Sequence, residues 1–160
     1  MHGAVRFTED IDVTVLLGSL STRTLVQALS QAGFALRVDD VDDVDDFVEK
    51  THVLPMVHEG SHVPVDVVLG GPGLEELFAD RAVPTDVGGF SVPVATAEDV
   101  AVMKVLAGRP KDLEDIVALA RTSRLDASGV KETLALVEQA LDQSDLVPLF
   151  EQCLQRARHG

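Results

Sequence analysis

The chain has 160 residues, enough for one compact domain with a substantial core. Its formal net charge is −14, from 27 Asp and Glu against 13 Lys and Arg, and a tight nucleic-acid binder usually needs a basic face to neutralise phosphate. Aromatic residues reach only 4%, with no Trp or Tyr, which argues against a base-stacking platform, and no apolar run approaches the ~20 residues of a membrane helix.

The charge is uneven along the chain. Residues 1–100 hold 18 of the acids and 5 of the bases, whereas residues 101–160 hold 9 and 8. A grip on phosphate is therefore expected in the C-terminal part. The opening MHGAVRFTED lacks a basic start followed by an apolar stretch, so no signal peptide is read there. Cys153 is the lone cysteine, which excludes an internal disulfide framework and a thiolate metal site. A cytoplasmic location is the expectation.

Residues 11–16, IDVTVL, are β-branched and apolar on both faces, as a central strand would be. Ser21 and Thr22 can cap a helix through Leu25, Val26, Leu29 and Ala32, which Gly33 stops. In VDDVDDVDDF, Val38, Val41, Val44 and Phe47 recur at steps of three. That spacing is one face of a short helix whose other faces are Asp. A Ca²⁺ loop is disfavoured against such a solvated acidic face, because the turn Gly and the terminal Glu spacing of the EF-hand are missing.

Two strands follow, HVLPMVH at 52–58 and VPVDVVL at 63–69. Asp66 is the one acid in the second. The run GGPG then leads into the helical stretch LEELFADR. Gly70–Gly73 could cradle an anion or be a plain turn, and it matches neither the P-loop nor the dinucleotide fingerprint. Gly88 and Gly89 ahead of FSVPV predict a tight hairpin. Thr96 with Asp99 three residues on reads as a capping box for a helix ended by Gly108. Pro110 opens another, with Leu113, Ile116, Val117 and Ala120 on one face. Amphipathic helices at about 127–141 and 145–157 finish the chain.

The chemistry concentrates in a few acids. Asp10 and Asp12 stand either side of Ile11, so on a strand both carboxylates point to the same face. Like charges that close are costly unless a cation lies between them. Asp66 is buried by pattern in an apolar strand, where an unpaired carboxylate is expensive. Three carboxylates from adjacent strands would bind one or two Mg²⁺ ions through hard oxygens, and two ions can clamp the oxygens of a phosphoryl transfer. The alternative is that Asp10 and Asp12 cap a strand end and Asp66 pairs with an Arg. Lys104 shares a helical arc with Val100, Met103 and Ala107. It would meet an anion there, or pair with Asp112 and Asp115 on the next helix.

Three segments, HGAVRFTEDIDV, VPVDVVLGG and EDVAVMKVLAGRPKDLEDIVAL, together resemble the nucleotidyltransferase superfamily. The branch they resemble is the AbiEii-type toxin-like nucleotidyltransferases, over roughly residues 2–121. The resemblance implies that Asp10 and Asp12 bind the catalytic metals, Mg²⁺ or Mn²⁺. It implies that Asp66 completes the triad as ligand and base for the attacking hydroxyl. Lys104 would contact the nucleotide triphosphate, with Asp112 of Arg109-Pro110-Lys111-Asp112 supporting the site. Arg6 and Thr8 match the Arg-x-Thr-x-Asp-Ile-Asp lead-in.

The implied activity is transfer of a nucleoside monophosphate from an NTP to a hydroxyl acceptor on RNA, tRNA included, or on protein, with a protein antitoxin as partner. The superfamily also places a Gly-Gly or Gly-Ser pair ahead of the acidic pair, and Met1 falls after that position. Weak or absent transfer and a homo-oligomer are expected on that ground. A non-catalytic module that holds a nucleotide or a protein partner is the alternative. A metal-dependent phosphohydrolase is disfavoured by the lack of a His-rich ligand set.

The expected fold is α/β (α+β): a nucleotidyltransferase-like mixed sheet flanked by helices, with a C-terminal helical bundle. Residues 1–95 would form the sheet core and 96–160 a helical part packed on it as a single compact unit.

Overall fold

A computed structural model describes residues 11–38, 44–122 and 125–159. The chain folds as two compact units, Met1–Leu77 and Phe78–Gly160.

In the first unit, β1 (Ile11–Leu16), β2 (Phe34–Leu36), β3 (Val53–His58) and β4 (Pro64–Gly70) form one mixed sheet in the order β1-β4-β3-β2. The β1–β4 pair is parallel and the others antiparallel. Helices α1 (Thr22–Gln31) and α2 (Val44–Thr51) supply the cover. Buried Val48, Leu54, Met56 and Val67 form the core, with Leu25, Val26, Leu29, Phe47 and Leu69 packed against it. Ser21 accepts from the Thr24 N–H to cap α1, and Gly33 takes a φ of 84° just past its end, as a left-handed helix stop requires. Of the acidic repeat at 38–47, residues 39–43 lie outside the described residues, and Val44–Thr51 is helix.

One expectation for this sheet is corrected. Among the described residues β1 is an edge strand, not a central one, and Ile11, Val13 and Leu16 are exposed. Apolar residues on both faces report what lies above and below a strand. They say nothing of whether a second strand lies beside it.

Gly70 closes β4 against β1. A Cβ there would stand 2.8 Å from Leu16 Cδ2 and 2.9 Å from Glu75 Cβ, so the position needs glycine for close approach rather than for backbone freedom.

Helix α3 (Leu74–Arg81) leads into the second unit. There β5 (Val83–Val87) and β6 (Phe90–Val94) form a hairpin, followed by α4 (Ala97–Ala107), α5 (Pro110–Thr122), α6 (Ala127–Leu141) and α7 (Leu146–His159). The four helices pack around buried Ala101, Val102, Val105, Ile116, Val117, Val130, Leu134, Phe150 and Cys153. A mixed α+β architecture with helices gathered at the C-terminal end is therefore observed. No helix among the described residues is long and apolar enough to cross a membrane.

The face of α4 differs from expectation. Its buried residues are Asp99, Ala101, Val102 and Val105, whereas Met103, on the arc of Lys104, is 38% exposed. The run VAVMKVLA is apolar almost all round, so periodicity could not single out the face that packs.

The hairpin turn has Gly88 and Gly89 at φ of 64° and 91°, the two positive angles of a type I′ turn. Alternation places Val83, Thr85, Val87, Phe90, Val92 and Val94 on one face. Each of these is exposed, Phe90 by 75%. Pro84 lies opposite Pro93, and both lack an N–H, which blunts strand addition at the hairpin edges. The face is left as the sticky surface, and two copies are expected to associate weakly through it. Phe90→Ser should leave stability within about 0.5 kcal/mol of the parent, because an exposed side chain loses little on truncation. It should also reduce self-association in sedimentation runs at tens of micromolar (roughly the range suited to weak contacts). A large fall in melting temperature would show instead that Phe90 is packed.

Candidate functional site

The sequence-derived residues fall in two groups, one in each unit. In the first unit, Asp12 on β1 is the register partner of Asp66 on β4, and Asp66 is the register partner of Pro55 on β3. Partners directly opposite on neighbouring strands project to the same face. The backbone N–H of Arg37, one residue past β2, donates to the Pro55 carbonyl at 2.8 Å. A single row therefore crosses the sheet: Asp12, Asp66, Pro55, Arg37. Val13, Val67 and Leu54 are the adjoining register partners and project to the opposite face, where the core packs.

Asp66 is half-buried, at 31% side-chain exposure, and its Oδ1 accepts from Arg37 Nη2 in an ion pair. Arg37 Nε donates to the Met56 carbonyl at 3.0 Å, so the guanidinium is braced by backbone as well as by charge. The expected alternative for Asp66, an Arg partner, is thus realised. Asp10, Arg6 and Thr8 lie outside the described residues. No group of three or more His, Cys, Asp or Glu that could hold a metal ion occurs among the described residues. Asp12 and Asp66 supply two hard oxygen donors in adjacent register, which is the donor type Mg²⁺ and Mn²⁺ take.

In the second unit, α4 and α5 are separated by Gly108 and Arg109 alone, which sets Lys104 against the first turns of α5. Lys104 Nζ lies 2.8 Å from Asp115 Oδ2 and 3.4 Å from Asp112 Oδ1. Asp112 is buried and also accepts from Arg109 Nε at 2.6 Å. The Arg109 hydrogen bond holds its carboxyl below the usual carboxylate range, with a further contribution from Lys104, and burial opposes both. The ion-pair reading of Lys104 is what the structure shows. Lys104 retains 27% side-chain exposure.

A second network was not anticipated. Buried Asp99 accepts from the Thr96 hydroxyl at 2.8 Å and from Arg81 Nη1 at 3.2 Å, and the same Nη1 reaches the Thr133 hydroxyl at 3.2 Å. Asp99 so departs from the capping box: its carboxylate binds the cap side chain rather than the cap N–H. A cavity of about 310 Å³ lies beside this network, with Glu98, Glu132 and Leu136 also on its wall. It holds none of the sequence-derived site residues, and nothing in its chemistry points to phosphate. The network ties α3, α4 and α6 together.

Arg37 was missed as well, though a signal existed. Residues 1–77 contain only Arg6, Arg23, Arg37 and Lys50 as Lys or Arg. Arg23 and Lys50 pair with Asp45 and Asp46. An apolar-patterned acid such as Asp66 had few cations to draw on.

Compared with known proteins, residues 1–157 match a family model described as "Nucleotidyl transferase AbiEii toxin, Type IV TA system". The search of curated proteins returned no match.

Proposed function

The chain belongs to the AbiEii nucleotidyl transferase toxin family of type IV toxin–antitoxin systems, and on that footing we propose that it moves a nucleoside monophosphate from an NTP to a hydroxyl acceptor on RNA, tRNA included, or on protein. The observation that carries this reading is the register pairing of Asp12 with Asp66 on one face of the sheet. Asp10, Asp12 and Asp66 would hold Mg²⁺ or Mn²⁺. Bound there, the metal would neutralise charge on the phosphoryl oxygens.

The chain's own residues divide the remaining work. Asp66 has one oxygen committed to Arg37, and its other oxygen would accept the proton of the attacking hydroxyl. Lys104 binds triphosphate, its exposed fraction being the part that a ligand can reach. Asp112 fixes both Lys104 and Arg109. Arg6 and Thr8 take the roles of the family lead-in. A protein antitoxin is the partner the family suggests.

Incubation with each labelled NTP, Mg²⁺ and bulk RNA or protein tests this. Metal-dependent label on one acceptor class is expected. Absence of label from every acceptor, with any NTP and with either metal, would remove the transferase reading.

A second reading rests on a specific observation. Asp66 and Lys104 are each already paired with opposite charge, so neither group needs a ligand to balance its charge. A non-catalytic module that holds a nucleotide would fit that. It predicts thermal stabilisation by NTP with no transfer to any acceptor.

A further inference from the structure

We infer that Arg37 is a positioning residue that serves as the standing counter-ion of the acidic row, and that it sets the divalent-cation concentration at which Asp12 and Asp66 take up metal. The inference rests on the metal reading above. It concerns a residue that the family resemblance did not assign.

The geometry is specific. Arg37 sits at the far end of the row and reaches across Pro55 to Asp66. A long side chain is needed to span the intervening strand, and strands lie about 4.8 Å apart. Pro55 carries a short ring at the position to be crossed, where a longer side chain would stand in the way. Nε on the Met56 carbonyl leaves Nη2 for Asp66 Oδ1. That contact spends one carboxylate oxygen and keeps the other for a second ligand.

The electrostatics give Arg37 two opposed effects. In the metal-free protein it offsets the repulsion of two carboxylates held in register, which stabilises the fold. Toward an incoming divalent ion the same fixed charge is repulsive and weakens binding. Both side chains are about one-third exposed, at 36% and 31%, so solvent screens each effect to a moderate size. Arg23 and Lys50 pair with Asp45 and Asp46 on α2, whereas Arg37 is the cation paired with Asp66. Removing Arg37 should therefore make the metal-free protein less stable and the cation bind more tightly. A purely structural Arg would produce the first change without the second.

The test uses Mn²⁺ as probe with the full chain. Calorimetric titration is done on the parent, Arg37→Met and Arg37→Lys, with melting curves in metal-free buffer. Arg37→Met should tighten the Mn²⁺ Kd by about three- to tenfold and lower the metal-free melting temperature. Arg37→Lys keeps the charge and should stay within about twofold of the parent in Kd. Adding Asp66→Asn to Arg37→Met should raise the metal-free melting temperature, because it removes the uncompensated charge. Arg37→Gln serves if Arg37→Met does not fold, and the same tightening is expected of it. Parent binding with an equal or weaker Kd in the uncharged variants overturns the inference alone. No Mn²⁺ binding by the parent, with Asp12→Asn and Asp66→Asn equally silent, overturns the metal reading and takes this inference with it.

Discussion

Asp66→Asn should lower Mg²⁺-dependent nucleotidyl transfer by roughly a thousandfold while the protein stays folded. The substitution keeps the volume and one acceptor oxygen for Arg37, which donates to Asp66 Oδ1. It removes the negative charge that would hold the cation and the base that would take the proton. Losing charge stabilisation and proton acceptance together amounts to several kcal/mol of barrier, and each 1.36 kcal/mol is tenfold in rate. Because Asp66 is half-exposed rather than buried, its neutral form strands no deep charge, and the melting temperature should move by only a few degrees. Asp12→Asn should fall in the same range, since Asp12 is the register partner on β1. Glu59→Gln, in the exposed connection between β3 and β4, serves as a control and should transfer at the parent rate. Activity in Asp66→Asn within tenfold of the parent would mean that this carboxylate does not act in the reaction.

Most of the elements were legible because the punctuation was local. Ser21, Thr96, Gly108, Pro110 and the Gly88-Gly89 pair each act on the residues beside them, through a cap, a left-handed stop or a turn. The Lys104 pairing was legible for a related reason. Helices α4 and α5 are separated by a connection of two residues, so a Lys near the end of one must face the start of the next.

What sequence could not supply was lateral order. IDVTVL reads the same whether one strand or two lie beside it, and only the β1-β4-β3-β2 order among the described residues reveals the edge. Arg37 failed for the same cause. It follows a strand of three residues, and its partner Asp66 lies 29 residues away, two strands across. The α4 face failed because nearly every position in that helix is apolar, so the choice fell to its packing partners rather than to its own pattern. Asp66 was recognisable as an acid in need of a cation, but which cation was a question of register.

The largest effect on stability is expected at Asp112, in the first turn of α5. Asp112→Ala should cost about 2 kcal/mol and lower the melting temperature by about 4–8 °C. Asp112 is buried and receives both Arg109 Nε and Lys104 Nζ. Deleting it leaves two cations at a helix N-terminus, whose partial positive charge repels them. Asp115 still holds Lys104, and Arg109 is largely open to water, so the loss falls below the roughly 3–5 kcal/mol of a fully buried pair that is broken. Acid dependence separates this charge effect from a packing loss. The Asp112 carboxyl titrates below the usual range in the folded chain, chiefly because Arg109 hydrogen-bonds it. The unfolded chain thus takes up the proton first as pH falls. The stabilisation is complete above an ordinary carboxylate value of about 4, and it is lost as pH drops through the lowered folded value. Asp112→Asn, which keeps the shape, should be less stable than the parent at neutral pH. The gap should close as urea melts are run from pH 5 down to pH 2 (roughly the carboxylate range). A gap that holds constant across that range would assign the loss to packing and remove the ion pair as its cause.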